Sequence, residues 1–333
     1  MSQNIKTENN FSEIRVAIVA DWLTVEGGAE KVLESFLNIF PQAEFFTSVY
    51  IPENFKFLKN TKVHTTSLQK FPKFLRKRHQ LLFPFLPKAI EELDFSGFDL
   101  VISSSTFVAK GVITNSDVPH LCYCHTPTRY FWDEWQYFLK EGLNIPKFLR
   151  PFKRFFPAIF TKFRIWDFVS AQRPDDYVGN SEYVVKRIKK YYRRSAHLLR
   201  PPVYWKHFSK GLEYEKKDHY IALGRLIPYK KFDLLVKTFK NLPEKKLIIA
   251  GKGPELEHLQ ELAGDAKNIV FAGFVSDQKL LELLGLLRHF CFHKMKMQES
   301  LPWKDCALEH PASLLKKEEL SEWCMMKTQK ILT

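Results

Sequence analysis

Arg15–Phe40 has the sequence "RVAIVADWLTVEGGAEKVLESFLNIF", and this stretch decides the fold. Its first part, "RVAIVADWL", is a short apolar run of the kind found in buried parallel strands. Two glycines follow, and after them apolar residues recur at helical spacing, at Val32, Leu33, Phe36, Leu37 and Phe40. A strand, a glycine turn and a helix in this order predict the first part of a βαβ unit, and therefore a parallel sheet.

The same alternation continues along the chain in two blocks. In the first block, "AEFFTSVY", "DLVISSS" and "LCYCHTP" are predicted strands, and "DYVGNSEYVVKRIKKYY" predicts a strand and a helix capped by Asn180 or Ser181. The second block begins at Tyr220 with the strands "YIALGRL", "KLIIA" and "NIVFAGFV", each followed by a helical pattern. Pro201–Val203 is a predicted hinge between the blocks. The sequence therefore predicts two α/β domains, for which 333 residues are sufficient.

Cysteine usage and the N-terminal residues predict a cytoplasmic protein. The five cysteines form no C-x-x-C pair, and Cys122 and Cys124 alternate like strand residues, which indicates a reducing compartment. The first residues, "MSQNIKTENNFSEI", lack the basic and apolar regions of a signal peptide, and no apolar run is long enough to span a bilayer.

A net charge of +14 and 30 phenylalanines suit three kinds of partner: nucleic acid, an anionic membrane face or phosphorylated substrates. Two stretches mix Lys and Arg with Phe, "FPKFLRKRHQLLFPFLPKAI" and "IPKFLRPFKRFFPAIFTKFRIWDF". We interpret them either as segments that lie on a membrane surface or as core helices with an exposed basic face. Nucleic-acid binding rests on the charge alone, so nucleic acid is not predicted as a partner.

Five residues of the first block are candidates for the site. Gly27 and Gly28 lie between a strand and a helix, where bare backbone N–H groups can approach a diphosphate; the alternative is a tight turn. His125 follows a strand and can serve as an acid, a base or a charge stabiliser, unless it is merely hydrogen-bonded. Arg129 and Asp133 can bind sugar hydroxyls, but a surface ion pair explains them equally well.

The second block adds four candidates. Arg225 and Lys230 lie at the carboxyl end of a strand and are placed to hold a leaving diphosphate, unless they are a solvated pair. Gly251 and Lys252 belong to "GKGP", which lacks the third glycine of a nicotinamide fingerprint but can pack against a nucleobase or ribose. The chain has no D-x-D triplet and no Cys/His cluster, so we expect neither a metal nor another cofactor.

Taken together, these motifs resemble those of glycosyltransferase family four, whose GT-B fold has two Rossmann-like α/β domains facing a cleft. The segments that carry the resemblance are "DWLTVEGGAEKVLE", "DLVISSSTFVAKG", "CYCHTPTRYFWD", "FRIWD", "VGNSEYVVKRIKKYY", "PPV", "GRLIPYKKFDLLV" and "AGKGPELEHL". Two of them, "CHTPTRY" and "FRIWD", look most like bacterial mannosyltransferases that build O-antigen and capsular polysaccharide.

The resemblance implies roles for several of these candidates. His125 would face the reacting sugar, Gly27 and Gly28 would lie against the donor, and "AGKGP" would line the nucleobase pocket. Arg225 and Lys230 would hold the diphosphate, where preorganised cations stabilise the charge that develops as it leaves. The reaction would be a metal-free, retaining transfer from a nucleotide sugar, GDP-mannose, to a lipid-linked or polysaccharide acceptor. Peripheral contact with the inner face of the plasma membrane is a further expectation.

The last part of the chain departs from the family. Family members carry E-x7-E after the helix that corresponds to "SDQKLLELL", with carboxylates that contact the donor sugar and ribose, and nothing from Gly285 onward matches it. The third base of each codon, read with the first two of the next, gives an adjacent reading frame. In that frame Met295–Lys296 forces Glu, Met297–Gln298 forces Ala, and Trp303–Lys304 forces Glu. The remaining codons permit E-D-A-G-I-T-P-L-E, followed by the family's G-T-P.

The sequence thus predicts a frameshift between Leu284 and His289; the alternative is a divergent but genuine C-terminus. The predicted organisation is a disordered N-terminus (1–14), an acceptor-side domain (15–200), a partial nucleotide-sugar-binding domain (201–284) and an out-of-frame tail (285–333). Without E-x7-E, this chain is expected to be a weak or inactive transferase. The alternative function is a non-catalytic remnant that binds a membrane or an acceptor. A nicotinamide dehydrogenase is disfavoured, because the fingerprint is incomplete at both glycine turns.

Overall fold

The computed structural model describes residues 13–25, 27–136, 156–202, 217–275, 279 and 287–290. They form two compact units, one ending at Pro202 and one following it. Each unit is an α/β structure built on a parallel sheet. The predicted α/β class is therefore confirmed.

The sheet of the first unit has seven parallel strands in the order β3-β2-β1-β4-β5-β6-β7. The strands are β1 (Val16–Ala20), β2 (Glu44–Thr47), β3 (Val63–Thr65), β4 (Leu100–Ser105), β5 (His120–Cys124), β6 (Asp176–Gly179) and β7 (His197–Leu198). The chain runs outward from β1 to β3 and then returns to place β4 on the other side of β1. This reversal creates a switch point between β1 and β4 at the carboxyl edge of the sheet.

Successive residues of β1 enter different cores, because side chains alternate across a strand. Val16, Ile18 and Ala20 pack in one buried cluster, whereas Ala17 and Val19 pack in another. Both faces of the strand are covered, which explains its continuous apolar sequence. On β5, Cys122 and Cys124 are likewise buried.

The described residues of the first unit form five helices: α1 (Gly28–Ile39), α2 (Lys73–Lys77), α3 (Leu86–Glu91), α4 (Phe156–Ser170) and α5 (Glu182–Tyr192). The Ser181 hydroxyl accepts a hydrogen bond from the Val184 N–H at 3.4 Å, so Ser181 is the cap of α5. The helix ends at Arg193, whose backbone is left-handed with φ of 58°. Among the described residues, no helix is both long and apolar enough to cross a membrane.

The second unit has four parallel strands in the order β10-β9-β8-β11. They are β8 (Lys217–Leu223), β9 (Lys246–Ala250), β10 (Ile269–Gly273) and β11 (Leu287–Phe290), accompanied by α6 (Phe232–Lys240) and α7 (Leu256–Ala263). Their core is formed by apolar residues of both helices and the sheet, among them Val236, Phe239, Leu247, Ile249 and Leu259.

Several predictions fall on residues outside the described ranges. They concern the first twelve residues, most of the predicted helix "SDQKLLELL", and the tail after residue 290. Within the predicted tail, Leu287–Phe290 forms β11 and pairs in parallel with β8.

Candidate active site

The switch point of the first sheet is filled by the side chain of Asp21, which directly follows β1. Its buried carboxylate accepts hydrogen bonds from the backbone N–H groups of Thr106, Phe107 and Ala109, at 2.6, 3.0 and 2.6 Å. The Thr106 hydroxyl donates a further bond at 2.6 Å. Backbone amides of this kind commonly bind a ligand's anion at such an edge. Here they bind a carboxylate of the protein, and the loop after β4 is thereby fixed to the end of β1.

His125 follows β5 at the same edge. Its backbone N–H donates to the Ser105 carbonyl at 2.9 Å, and its carbonyl accepts from the Asn180 amide at 3.0 Å. The imidazole Nε2 lies 2.8 Å from the Ser104 hydroxyl. Burial lowers the pKa of His125 to about 4, although the Asp21 charge acts in the opposite direction. The half-buried imidazole is therefore neutral near pH 7 and is held in one orientation.

Arg129 and Asp133 lie on the loop that continues from His125. The Arg129 guanidinium is 3.2 Å from the Glu134 carboxylate. Asp133 forms an ion pair with Arg187 of α5 and accepts a hydrogen bond from the Tyr191 hydroxyl. Both predicted sugar-binding residues thus have protein partners, as the ion-pair interpretation requires. Binding of sugar hydroxyls remains a prediction.

A buried ion pair lies behind this loop. The Lys110 ammonium is 2.7 Å from the Asp167 carboxylate, and the two side chains are 1% and 0% exposed. The same carboxylate accepts from the Thr128 hydroxyl and the Trp132 indole, both at 2.8 Å. These residues belong to "FVAKG", "CHTPTRYFWD" and "FRIWD", three segments that are far apart in the sequence. Sequence reasoning found the segments but missed the contact that joins them.

Gly27 and Gly28 lie at the start of α1, and their backbone does not require glycine. Gly27 has an extended φ of −157°, and Gly28 has no positive φ. A Cβ added to Gly28 would meet no described atom within 4 Å, and one added to Gly27 would lie 3.2 Å from the flexible Glu30 carboxylate. Within the described residues, neither packing nor the turn explains these glycines. They leave open space beside the N-terminus of the helix.

In the second unit, Arg225 and Lys230 follow β8 at its carboxyl end. The Arg225 side chain is exposed. The Lys230 ammonium lies over Gly224. A Cβ added to Gly224 would be only 2.7 Å from the Lys230 nitrogen. Two cations are thus held at this edge, one of them directly above the loop backbone.

The glycines of "GKGP" have a structural explanation. A Cβ added to Gly251 would lie 1.8 Å from the Gly224 carbonyl oxygen, and one added to Gly253 would lie 2.0 Å from the Leu226 carbonyl oxygen. The loops after β8 and β9 therefore touch backbone to backbone. Nucleobase binding by "AGKGP" remains a prediction that this packing does not require.

Two hydrogen bonds join the same two loops. The Gly224 N–H donates to the Ala250 carbonyl, and the Leu226 N–H donates to the Lys252 carbonyl, both at 3.0 Å. The side chain of Lys252 is exposed, and its ammonium lies 5.8 Å from the centre of the Phe274 ring. A third cation is thereby exposed at the carboxyl edge of the second unit.

The candidates fall into two groups, each at the carboxyl edge of one sheet. The first unit holds Gly27, Gly28, His125, Arg129 and Asp133. The second holds Arg225, Lys230, Gly251 and Lys252. Four residues that were not among the predicted site residues bind His125 or the loops beside it, namely Asp21, Ser104, Lys110 and Asp167.

Comparisons with known proteins agree with this architecture. The model for Glycosyltransferase Family 4 matches residues 26–203, and the model for Glycosyl transferases group 1 matches residues 203–304. Among solved structures, Alr3699/HepE from Anabaena in complex with UDP aligns with a TM-score of 0.54 and 14% identity, over 96% of this chain and 92% of that chain. A TarM mutant from S. aureus, in complex with fondaparinux, alpha-GlcNAc-glycerol and UDP, aligns with a TM-score of 0.50 and 11% identity, over 81% and 79%. No curated protein sequence matches the chain.

The parallel sheets and these matches define a glycosyltransferase of the GT-B structural class. More particularly, the chain belongs to glycosyltransferase family 4, because the model of that family covers more than half of its 333 residues.

Proposed function

We propose that this glycosyltransferase is of the retaining type and transfers mannose from GDP-mannose to a lipid-linked or polysaccharide acceptor. The observation that supports a transfer site most directly is the neutral, oriented imidazole of His125 at the carboxyl edge of the first sheet. A neutral imidazole can donate a hydrogen bond to a sugar hydroxyl, or accept one from it, while charge develops on the sugar ring. Mannose and the acceptor classes come from the likeness of "CHTPTRY" and "FRIWD" to bacterial mannosyltransferases.

The donor diphosphate is assigned in this proposal to Arg225 and Lys230. Both follow β8, and a helix begins shortly after them at Phe232. Charge-assisted hydrogen bonds to phosphate oxygens are among the stronger polar contacts, and removing one loses about 1.5–3 kcal/mol. A UDP-sugar is the second candidate donor, because Alr3699/HepE and TarM were both solved with UDP.

Calorimetric titration of the purified chain with GDP and with UDP tests the donor. We expect GDP to bind more tightly, and Arg225→Ala or Lys230→Ala to weaken binding by about tenfold or more. Lys237→Ala is the matched control, since that lysine lies on the exposed side of α6. Tighter binding of UDP would assign a uridine donor instead, and equal losses in all three variants would remove Arg225 and Lys230 from the site.

A change of reading frame between Leu284 and His289 is also part of the proposal. The forced codons of the adjacent frame supply both glutamates of E-x7-E. In that frame, His289–Phe290 encodes Phe or Leu, and Phe290–Cys291 encodes Leu. The match of the group 1 model to residue 304 extends past the proposed change and supports the alternative of a genuine, divergent C-terminus.

Sequencing the gene across codons 280 to 310 decides between these alternatives. Codons that spell no E-x7-E in the adjacent frame would end the frameshift proposal. If the motif is present, the frame-corrected protein should transfer sugar from GDP-mannose far faster than the present chain, because it regains two carboxylates for the donor. Equal rates would show that these carboxylates are not needed.

We further propose that the first unit makes peripheral contact with an anionic membrane. The contact surface is the basic–aromatic surface, defined by the exposed apolar residues Phe71, Phe74, Leu81 and Phe85 and the cations Lys70, Lys73, Lys77, Arg78 and Lys88. Phe74 and Phe85 are 65% and 56% exposed. Aromatic rings beside cations suit the headgroup region of an anionic bilayer. The same surface would serve a non-catalytic remnant, which is the alternative function.

Liposome flotation tests the basic–aromatic surface. We expect binding to anionic vesicles without any donor, and a severalfold loss in the Phe74→Ser, Phe85→Ser double variant. Phe274→Ser is the control, because Phe274 is 74% exposed but belongs to the second unit. Equal binding to purely zwitterionic vesicles, or equal losses in the control, would count against this surface.

A further inference from the structure

The buried ion pair of Lys110 and Asp167 has more partners than a simple charge pair. The Lys110 ammonium also donates to the Phe107 carbonyl, and it lies 5.4 Å from the centres of both the Trp166 and Tyr192 rings. The Asp167 carboxylate accepts three hydrogen bonds, from Lys110 and from the two loop residues described above. The charges are therefore enclosed by protein on all sides.

Stability alone does not explain this arrangement. Burying two charges removes their hydration, and an apolar pair of similar volume is often as stable or more stable. Removing one partner alone is strongly destabilising, because the other charge is left buried without compensation. What an apolar pair cannot supply is the set of directed hydrogen bonds from Asp167 to Thr128 and Trp132.

Those bonds act on the loop that begins at His125. Thr128 and Trp132 lie three and seven positions after His125, and both side chains end on the Asp167 carboxylate. The other end of the network is tied to the loop after β4, since the Lys110 N–H donates to the Ser105 hydroxyl at 3.3 Å. The Ser105 carbonyl in turn accepts from the His125 N–H. Both loops that orient the imidazole are thus joined through one buried carboxylate.

We infer that Asp167 is a positioning residue, which uses Lys110 as its counter-ion to hold the His125–Asp133 loop in the geometry that sugar transfer requires. The effect on transfer rests on the proposed role of His125, whereas the effect on loop position does not. A reacting group displaced by about 1 Å can lose on the order of 10²-fold in rate. One buried carboxylate thus joins the segments "FVAKG", "CHTPTRYFWD" and "FRIWD".

The test replaces both charges at once, with Lys110→Met and Asp167→Leu in one variant of the full chain. We expect its unfolding temperature to fall less than that of the single variant Asp167→Leu, because no charge is left uncompensated and only two neutral donors on the loop lose their acceptor. The rate at which diethylpyrocarbonate modifies His125 at pH 7, resolved by peptide mass spectrometry, should rise severalfold as the loop loosens. The control pair is Lys73→Met with Glu53→Leu, an exposed ion pair that is not part of this network, and it should leave that rate unchanged.

A second variant covers the outcome in which the first does not fold. Thr128→Val with Trp132→Phe keeps the ion pair and removes only the two donors on the loop, and the same rise in His125 modification is expected. An unchanged rate in a folded variant of either kind would overturn the inference. If modification rises but a transferring, frame-corrected chain keeps its kcat, Asp167 still positions the loop and the proposed role of His125 is wrong.

Discussion

The carboxyl edges of the two sheets are organised by different groups. In the first unit, buried carboxylates hold the loops: Asp21 binds the loop after β4, and Asp167 binds the loop after β5. In the second unit, the backbones of two loops bind each other directly, with Gly251 and Gly253 permitting the close approach. The same strand–loop–helix plan thus uses side-chain charge in one unit and main-chain contact in the other.

This difference shows where charge is available to a ligand. The carboxylates that organise the first edge already accept hydrogen bonds from the protein itself. The second edge needs no charged side chain for its own structure, and Arg225 and Lys252 remain exposed there. We therefore expect an anionic donor to be attracted more strongly to the second edge, where the diphosphate is proposed to bind.

The largest effect should come from removing the carboxylate that organises the first edge. Asp21→Ala leaves three backbone N–H groups without their acceptor, so we expect the first unit to lose about 4 kcal/mol of stability. Urea unfolding followed by peptide-resolved hydrogen exchange measures this loss. Asp99→Ala is the matched control, because that exposed carboxylate accepts a single backbone bond from Arg15. Similar losses in both variants would mean that Asp21 is not the organising group.

A comparable test breaks the main-chain contact of the second edge. Gly251→Ala drives a methyl group into the Gly224 carbonyl and should destabilise the second unit by about 3 kcal/mol, with little effect on the first. Gly264→Ala separates this collision from backbone strain, since Gly264 has a φ of +55° but no atom closer than 4.0 Å to its added Cβ. Hydrogen exchange in β8 and β9 reports the result. Equal losses at positions 251 and 264 would refute the close-contact explanation.

Mild acid should destabilise the first unit, because this unit contains buried histidines that are neutral. Burial lowers the pKa of His120 to about 3, and its side chain is only 1% exposed. Below about pH 6.5 the unfolded chain binds a proton that the folded unit does not, so stability present at pH 7 is lost as the pH falls. By pH 5 we expect His120 to cost the first unit roughly 2 kcal/mol of stability, and the half-buried His125 to add a smaller loss.

The slope of stability against pH isolates this contribution. His120→Gln should flatten the slope between pH 6.5 and 5 in the first unit, whatever its effect on stability at pH 7. His258→Gln is the control, because that histidine is exposed on α7 in the second unit. An unchanged slope in the His120 variant would show that the buried ring is not responsible.

The smallest effect on stability is expected at the open glycine of the first edge. Gly28→Ala adds a methyl group to the start of α1 without a contact in the described structure, and should change stability by only about 0.5 kcal/mol, towards a more stable helix. Donor affinity should nevertheless fall severalfold if the donor lies against this backbone. Unchanged affinity in a folded variant would leave Gly28 outside the donor site.

Much of the fold could be predicted from local sequence. The strand β1 is buried on both faces, so it appears as a continuous apolar run, and α5 begins directly after Ser181, one of the two residues predicted as its cap. The carboxyl-edge location of His125, Arg225 and Lys230 followed from the predicted order of strands and loops.

The contacts that organise the site could not be predicted in the same way. Lys110 and Asp167 are 57 positions apart in the sequence and meet only in the folded unit. No local sequence pattern predicts a pair of residues so far apart. The sequence "GKGP" is compatible both with a nucleotide site and with close packing of two loops. Only the position of the neighbouring loop shows that packing requires the two glycines. The sequence shows that Asp21 follows a predicted strand, but it does not show the partners of its carboxylate, which lie on the loop after β4.

The two thiols inside β5 have a practical consequence. Burial raises the pKa of the Cys122 thiol to about 12, and it raises that of Cys124 as well, so neither reacts readily with maleimides near neutral pH. Once the three cysteines after residue 290 are changed to serine, a single cysteine introduced at the exposed position 31 of α1 would carry a fluorophore on an otherwise silent background. Whether a nucleotide binds beside α1 could then be tested optically, in real time and without any turnover.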